Sequence, residues 1–359
     1  MRVLAVFAAT VVLLAGCASG AGSGQRSDRR SAGSVTPRLT DPVLSAVVAV
    51  SPRLAWAVGS VRSGVLIVRW TGTAWQEARV PRTGAGSTLT SVTAVSDRDA
   101  WASGTDGGGK PLILHWNGTA WTRTTGPGLS AGKRLFSIAA VAPNVAWAVG
   151  GFPGGYCGYQ SAFIAGWKES AWTRQASSDA GPLSAVTAGP AGQTWAVGGC
   201  LGTVIYRRER SGWKRVPSPS PADVGDDAVS FLDGVIATSA RNAWAVGAIA
   251  GTSNRPLILH WDGTRWIQVP SPFARGQLHA VAATSATSAW AAGLTFARTR
   301  TSSLLLRWNG TRWTRVPCPG KGLTGLTAIT ADSAWAVGTA GTGPLILHWN
   351  GIRWKQQPL

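Results

Sequence analysis

Ala55-Trp56-Ala57-Val58-Gly59 recurs down the chain. The same five residues surround Trp147, Trp244 and Trp335, and close variants surround Trp101, Trp195 and Trp290. The seven tryptophans stand 45, 46, 48, 49, 46 and 45 residues apart. A fixed period of this size is the mark of a solenoid, array or propeller.

Working outward from each central Trp, a Leu lies twelve residues before it in every copy: Leu44, Leu89, Leu135, Leu183, Leu232, Leu278 and Leu323. An Ala always lies seven before it, from Ala49 to Ala328. Beyond the central Trp comes a second signature, seen in Leu112-Ile-Leu-His-Trp-Asn-Gly-Thr-Ala-Trp121. Its closing Trp recurs at Trp75, Trp121, Trp172, Trp213, Trp266, Trp313 and Trp354. Its first Trp recurs in six copies, and Arg208 takes its place in the fourth. The repeat thereby accounts for all 20 Trp of the chain.

Each unit reads as four short strands. The first is apolar and β-branched, and the second holds the central Trp. The third is Leu-Ile-Leu-His-Trp, and the fourth begins at the closing Trp. Asn-Gly or Asp-Gly between the last two is a strong hairpin signal. Seven such units predict an all-β chain, a seven-bladed β-propeller of four-stranded antiparallel blades over 44–359. On the second strand Trp and Val face one way and Ala, Ala and Gly the other. A large face on one blade is therefore expected to meet a small face on the next.

The lengths separate the two ends of the propeller. Leading Leu to central Trp is twelve residues throughout, and the third-to-fourth hairpin is equally constant. Central to closing Trp varies from 18 to 25 residues, and closing Trp to the next Leu from 10 to 19. In an up-and-down blade these two variable connections emerge on one face. That face is where binding residues are expected, on loops held by a rigid scaffold.

The chain opens with Met1-Arg2 and an apolar run from Val3 to Leu14, too short to span a bilayer. Residues 1–16 read as a signal peptide. Leu14-Ala-Gly-Cys17 resembles the lipobox of bacterial lipoproteins, which implies cleavage before Cys17 and a diacylglycerol on that residue. Residues 17–43 then read as the lipidated Cys and a flexible tether of Gly, Ser, Ala and Arg. The expected location is extracytoplasmic, on the outer side of the cytoplasmic membrane.

The Ala-Trp-Ala-Val-Gly units resemble the secreted β-propeller lipoproteins of actinobacteria. They are more distantly similar to sialidase-type repeat propellers, including the photosystem II assembly factor. The resemblance implies the fold and little about activity, because propellers host many functions. The sialidase Asp-x-Gly-x-Thr-Trp box is here Asn-Gly-Thr-x-Trp, and only Glu77, Glu169 and Glu209 are glutamates. No catalytic residue is carried over.

Chemical motifs are sparse. His115, His260 and His348 each precede a first hairpin Trp in different units, which reads as a strand position and not a metal ligand. Asp223, Asp226 and Asp227 share the longest connection and are a weak candidate for calcium. No cofactor fingerprint stands out. Of the cysteines left after Cys17, Cys157 and Cys200 lie in second-to-third-strand loops of adjacent units, and a disulfide between them is expected, with Cys318 free.

The formal net charge is +19, and +16 of it falls on 44–359 once five basic and two acidic residues before it are removed. Such a surface favours anionic partners. Outside the cytoplasm these are an anionic envelope polymer, phospholipid or an envelope protein; nucleic acid is not expected. On the variable face, Arg255, Arg275, Arg298, Arg300 and Lys321 run from the fifth to the seventh unit, with Phe273 and Phe296 among them. Tyr156 and Tyr159 sit in the longest such loop, in the third unit. These are the candidate ligand-binding residues. The expected protein is a monomeric, lipid-anchored binding or scaffold module. A glycan-cleaving hydrolase or lyase is the alternative, and it needs a carboxylate pair about one bond.

The anchor has a direct test. Metabolic labelling with a fatty acid is expected to mark the wild type and to leave Cys17→Ser unmarked.

Overall fold

The computed structural model describes residues 39–359 apart from 130–131, 154–158, 169, 179–180, 222–228, 252, 298–299 and 342. It is a seven-bladed β-propeller. Each blade is a separate antiparallel sheet of four strands in sequence order. The strands that open the blades are Val43–Ser51, Thr88–Ser96, Arg134–Ala142, Leu183–Ala188, Val229–Ser239, Gln277–Ser285 and Gly322–Thr330. They form the inner ring, each packed on the next, with the seventh packed on the first. Among the described residues no strand is exchanged to close the ring. Closure rests on side chains: the Thr324 hydroxyl donates to the Leu44 carbonyl at 3.1 Å, and the Ala49 amide donates to Thr327 Oγ1 at 3.4 Å. The same device recurs between other blades, where Ser91, Thr93 and Ser137 hydroxyls accept from Ile138, Ala140 and Val186 amides. These bonds occupy backbone donors that an inner sheet edge would otherwise leave open.

Large faces meet small ones as the alternation predicts. Trp56 and Val58 of blade 1 pack with Ala100, Ala102, Leu112 and Leu114 of blade 2 in one buried cluster. The central Trp is the wedge. Its ring meets the closing Trp of the next blade edge to face, as in Trp56–Trp121 (5.3 Å, 87°) and Trp244–Trp313 (5.1 Å, 85°). It also leans on the next blade's first hairpin Trp, at 5.2 Å for Trp56–Trp116 and 5.0 Å for Trp335–Trp70 across the closure. Such pairs are worth about 0.5–1.5 kcal/mol beyond the area they bury. In blade 4 the guanidinium of Arg208 stands in for the missing ring, 5.4 Å over Trp147.

The wedge is also covered from its own blade. The third-strand residue paired with each central Trp lies on its ring. His115 stacks on Trp101 at 3.8 Å, His260 on Trp244 at 4.3 Å and His348 on Trp335 at 4.2 Å. Arg69, Arg207 and Arg307 do the same over Trp56, Trp195 and Trp290. Blade 3 has Gly166 at this position, and Trp147 is the one central Trp that is only half-buried. Asp99 holds His115 at 3.1 Å and Asn242 holds His260 at 2.8 Å. The histidines are thus packing groups on the third strand.

The Asn-Gly hairpins turn where the sequence places them, between the first hairpin Trp and the closing Trp. Trp116 pairs with Trp121, leaving a four-residue loop. Asn117 Oδ1 accepts from the Thr119 amide and hydroxyl and from the Ala120 amide. Asp262 and Asn309 repeat this cap. Gly118 adopts φ 94°, a conformation that L side chains rarely adopt. At Asp262 the hydrogen bond from the Thr264 hydroxyl, then those from the Arg265 and Thr264 amides, hold the carboxyl down at about 2.

Burial depresses the His260 imidazole, against an opposing pull from Asp262, and burial alone depresses His348. The unfolded chain protonates near 6.5 and the folded chain only at lower pH, so between the two values the unfolded state holds more protons. Stability is therefore expected to be flat above about 6.5 and to fall as the pH drops below it. Denaturant melts at pH 7.5 and 5.5 check this, and His260→Gln with His348→Gln should flatten the difference.

Candidate functional site

Antiparallel order puts the first-to-second turns and the third-to-fourth hairpins on one face, and hydrogen bonds tie them together. Trp70, Trp116, Trp261 and Trp308 each donate their indole N–H to a carbonyl of the turn, at 3.0–3.2 Å. The variable connections meet on the opposite face. There the Gly276 amide donates to Asn254 O, the Lys321 amide to Thr339 O and the Ser303 amide to Gly320 O. The Thr295 hydroxyl donates to Arg275 O at 2.8 Å.

The candidate residues of this loop face are placed as follows. Arg255, Arg275, Arg300 and Lys321 are exposed at the ends of strands in blades 5 to 7. Phe296 is 41% exposed. Phe273 is packed into the core beneath them, with the Arg315 guanidinium 4.8 Å over its ring. Arg298, Tyr156, Cys157, the three aspartates 223, 226 and 227, and Cys17 lie outside the described residues, as does the side chain of Tyr159. Cys200 is disulfide-bonded. Cys318 is a free thiol, which burial pushes up to about 11 against the opposing pull of Arg315. Lys133, at the blade 3 entry, is buried between the rings of Phe152 and Phe163 and donates to Gly128 O at 2.9 Å. Burial, and then Arg174, lowers its ammonium below the ordinary lysine value.

A second feature was missed from the sequence. Every inner strand carries a β-bulge one residue after its leading Leu: Leu44 pairs with Gly59 and Ala46 with Val58, so Ser45 has no partner of its own. The same register shift falls at Thr90, Phe136, Ser184, Asp233, His279 and Thr324. The closing Gly of Ala-Trp-Ala-Val-Gly sits opposite. A Cβ on Gly59, Gly104 or Gly247 would collide with the carbonyl oxygen of the residue before the leading Leu. Glycine lets the strands approach there, and the bulge re-aims the extra side chain. All seven extra residues line one axial pocket of about 410 Å³, together with Pro182. Because each lies at the start of an inner strand, the pocket opens on the loop face. Its size is that of a small-ligand site. Within it His279 Nδ1 lies 3.3 Å from Asp233 Oδ2, across the seam between blades 5 and 6, and Gln277 Nε2 donates to the same oxygen at 2.7 Å. The signal was present as a column of the repeat: the residue after each leading Leu is polar in six of seven copies, inside otherwise apolar strands.

Solved structures with this fold include YCF48, a photosystem II assembly factor. YCF48 bound to D1 peptide is 16% identical, with a TM-score of 0.59 over 87% of this chain and 94% of that one. YCF48 from Cyanidioschyzon merolae is also 16% identical, with a TM-score of 0.60 over 88% of this chain and 98% of that one. U3-55K is 12% identical, with a TM-score of 0.58 over 84% and 89%. At these identities the likeness is one of fold, and it supports a distant propeller relationship. No family model matches the sequence, and no curated protein matches it at a significant level.

Proposed function

We propose that the chain is a lipid-anchored, extracytoplasmic binding module that holds an anionic component of the cell envelope, or an envelope protein, on its loop face. One observation carries this reading: the two faces are built differently. The hairpin face is made of turns of constant length, pinned by Trp side chains. The loop face gathers every length variation, the exposed Arg255, Arg275, Arg300 and Lys321, and the mouth of the axial pocket. YCF48, a propeller of this shape, is seen bound to D1 peptide. Among the described residues the axial pocket presents one carboxylate, Asp233, where a glycosidase would need two across one bond. That supports binding over glycan cleavage.

The test compares two sets of three arginines, one from each face. Changing Arg275, Arg298 and Arg300 to Ser removes charge from the loop face. Changing Arg265, Arg312 and Arg353 to Ser removes the same charge from the hairpin face, where all three are exposed. Binding to isolated wall polymer and to anionic vesicles is expected to weaken about tenfold or more in the first variant, and to fall further as salt screens the contacts. The second variant is expected to bind like the wild type. Equal loss in both would reduce the effect to net charge and sink the loop-face reading.

A further inference from the structure

The axial pocket is a wall of acceptors inside a strongly basic protein. Among the described residues its lining contains no Lys and no Arg. The Thr324 hydroxyl spends its proton on the carbonyls of Leu44 and Val337, at 3.1 and 3.3 Å. The Thr90 hydroxyl spends its own on those of Ser103 and Leu135, at 3.3 and 3.5 Å. Both are left with lone pairs and no proton to offer. An ionised carboxylate only accepts, so the nitrogen of His279 that faces Asp233 carries the N–H. In the neutral ring the other nitrogen, Nε2, is then an acceptor as well. Gln277 turns its amide nitrogen onto Asp233 Oδ2, held from behind by Asn254 Nδ2 at 3.4 Å on its carbonyl side. Asp233 Oδ1 has no partner among the described residues. Only Ser45 and Ser184 keep hydroxyl protons to give. Phe136 supplies an aromatic wall.

We infer that this pocket binds a primary ammonium group. An ammonium brings three donors and no acceptor, which matches the wall. Asp233 supplies the charge, Thr90, Thr324 and His279 Nε2 accept, and Phe136 covers the aliphatic stem or meets the cation through its ring face. A neutral sugar asks for as many donors as acceptors and finds few. A hard metal ion asks for several oxygens around one point, and no group of three metal-type side chains occurs among the described residues. The ammonium has two sources, a free small amine or a lysyl side chain of a partner protein. The pocket and the arginine sector are separate, so either assignment can fail alone.

Isothermal calorimetry at constant ionic strength tests this with three probes. They are 1,5-diaminopentane, an N-acetylated tripeptide Gly-Lys-Gly-amide, and the same peptide with its lysine ε-acetylated. At least one of the first two is expected to bind at one site per chain, and the ε-acetylated peptide is not. Diamine binding points to a free amine, and binding by the lysyl peptide alone points to a protein partner. The near-isosteric Asp233→Asn is expected to weaken binding about tenfold or more, as for loss of a bond to a charged group. Arg353→Ser on the hairpin face should change nothing. A readout on the unaltered protein guards against misfolding: in ¹⁵N-histidine spectra, assigned through His279→Gln, the His279 Nε2 signal should move with the lysyl peptide or the diamine and stay still with the ε-acetylated one. If neither amine binds, if the ε-acetylated peptide binds equally, or if Asp233→Asn binds as well as the wild type, the assignment is wrong.

Discussion

Everything in this molecule hangs on the clamping of one tryptophan ring between two blades. Seven sheets of four strands, each closed on itself, share no backbone hydrogen-bond ladder. What holds them in a ring is the central Trp of each blade, set edge to face on the next blade's closing Trp and, in six of the seven, covered by an Arg or His from its own third strand. The repeat period follows from this contact. So does the constancy of the hairpin: the two Trp that flank its four-residue loop must both reach the same ring. Blades 3 and 4 show the tolerance of the scheme. Gly166 uncovers one side of Trp147, and Arg208 replaces one of its aromatic neighbours, yet the blades still stack.

The glycine that closes the Ala-Trp-Ala-Val-Gly motif links packing to function. Placed against a backbone carbonyl of the inner strand, it permits a bulge that seats the leading Leu in the core and turns the next residue toward the axis. The scaffold can thus keep Leu and Gly fixed while the residue between blade and channel changes freely. Ser, Thr, Phe, Asp and His all occur there. A ring of seven such positions is a means of writing a ligand site without touching the core.

The fold was legible because its signal repeats seven times, so that Trp56, Leu44 and Gly59 each carry the same meaning as their six counterparts. The asymmetry of the two faces was legible for the same reason, from loop lengths alone. The axial pocket was not, because Asp233 and His279 stand 46 residues apart and come together only through the bulge that breaks strict alternation. Strict period-two reading aims them no differently from their neighbours. The inward seating of Phe273 was equally invisible, since a loop aromatic carries no periodicity to show which way it faces.

On the proposed function, the hairpin face is scaffold and the loop face is the binding surface. Hydrogen–deuterium exchange of the protein with and without isolated cell envelope tests it directly. Slower exchange is predicted at 269–276, 317–321 and 339–341 and at the first residues of the inner strands, with the hairpins at 117–120, 262–265, 309–312 and 350–353 unchanged. Slowing confined to those hairpins, or spread evenly over both faces, would contradict it.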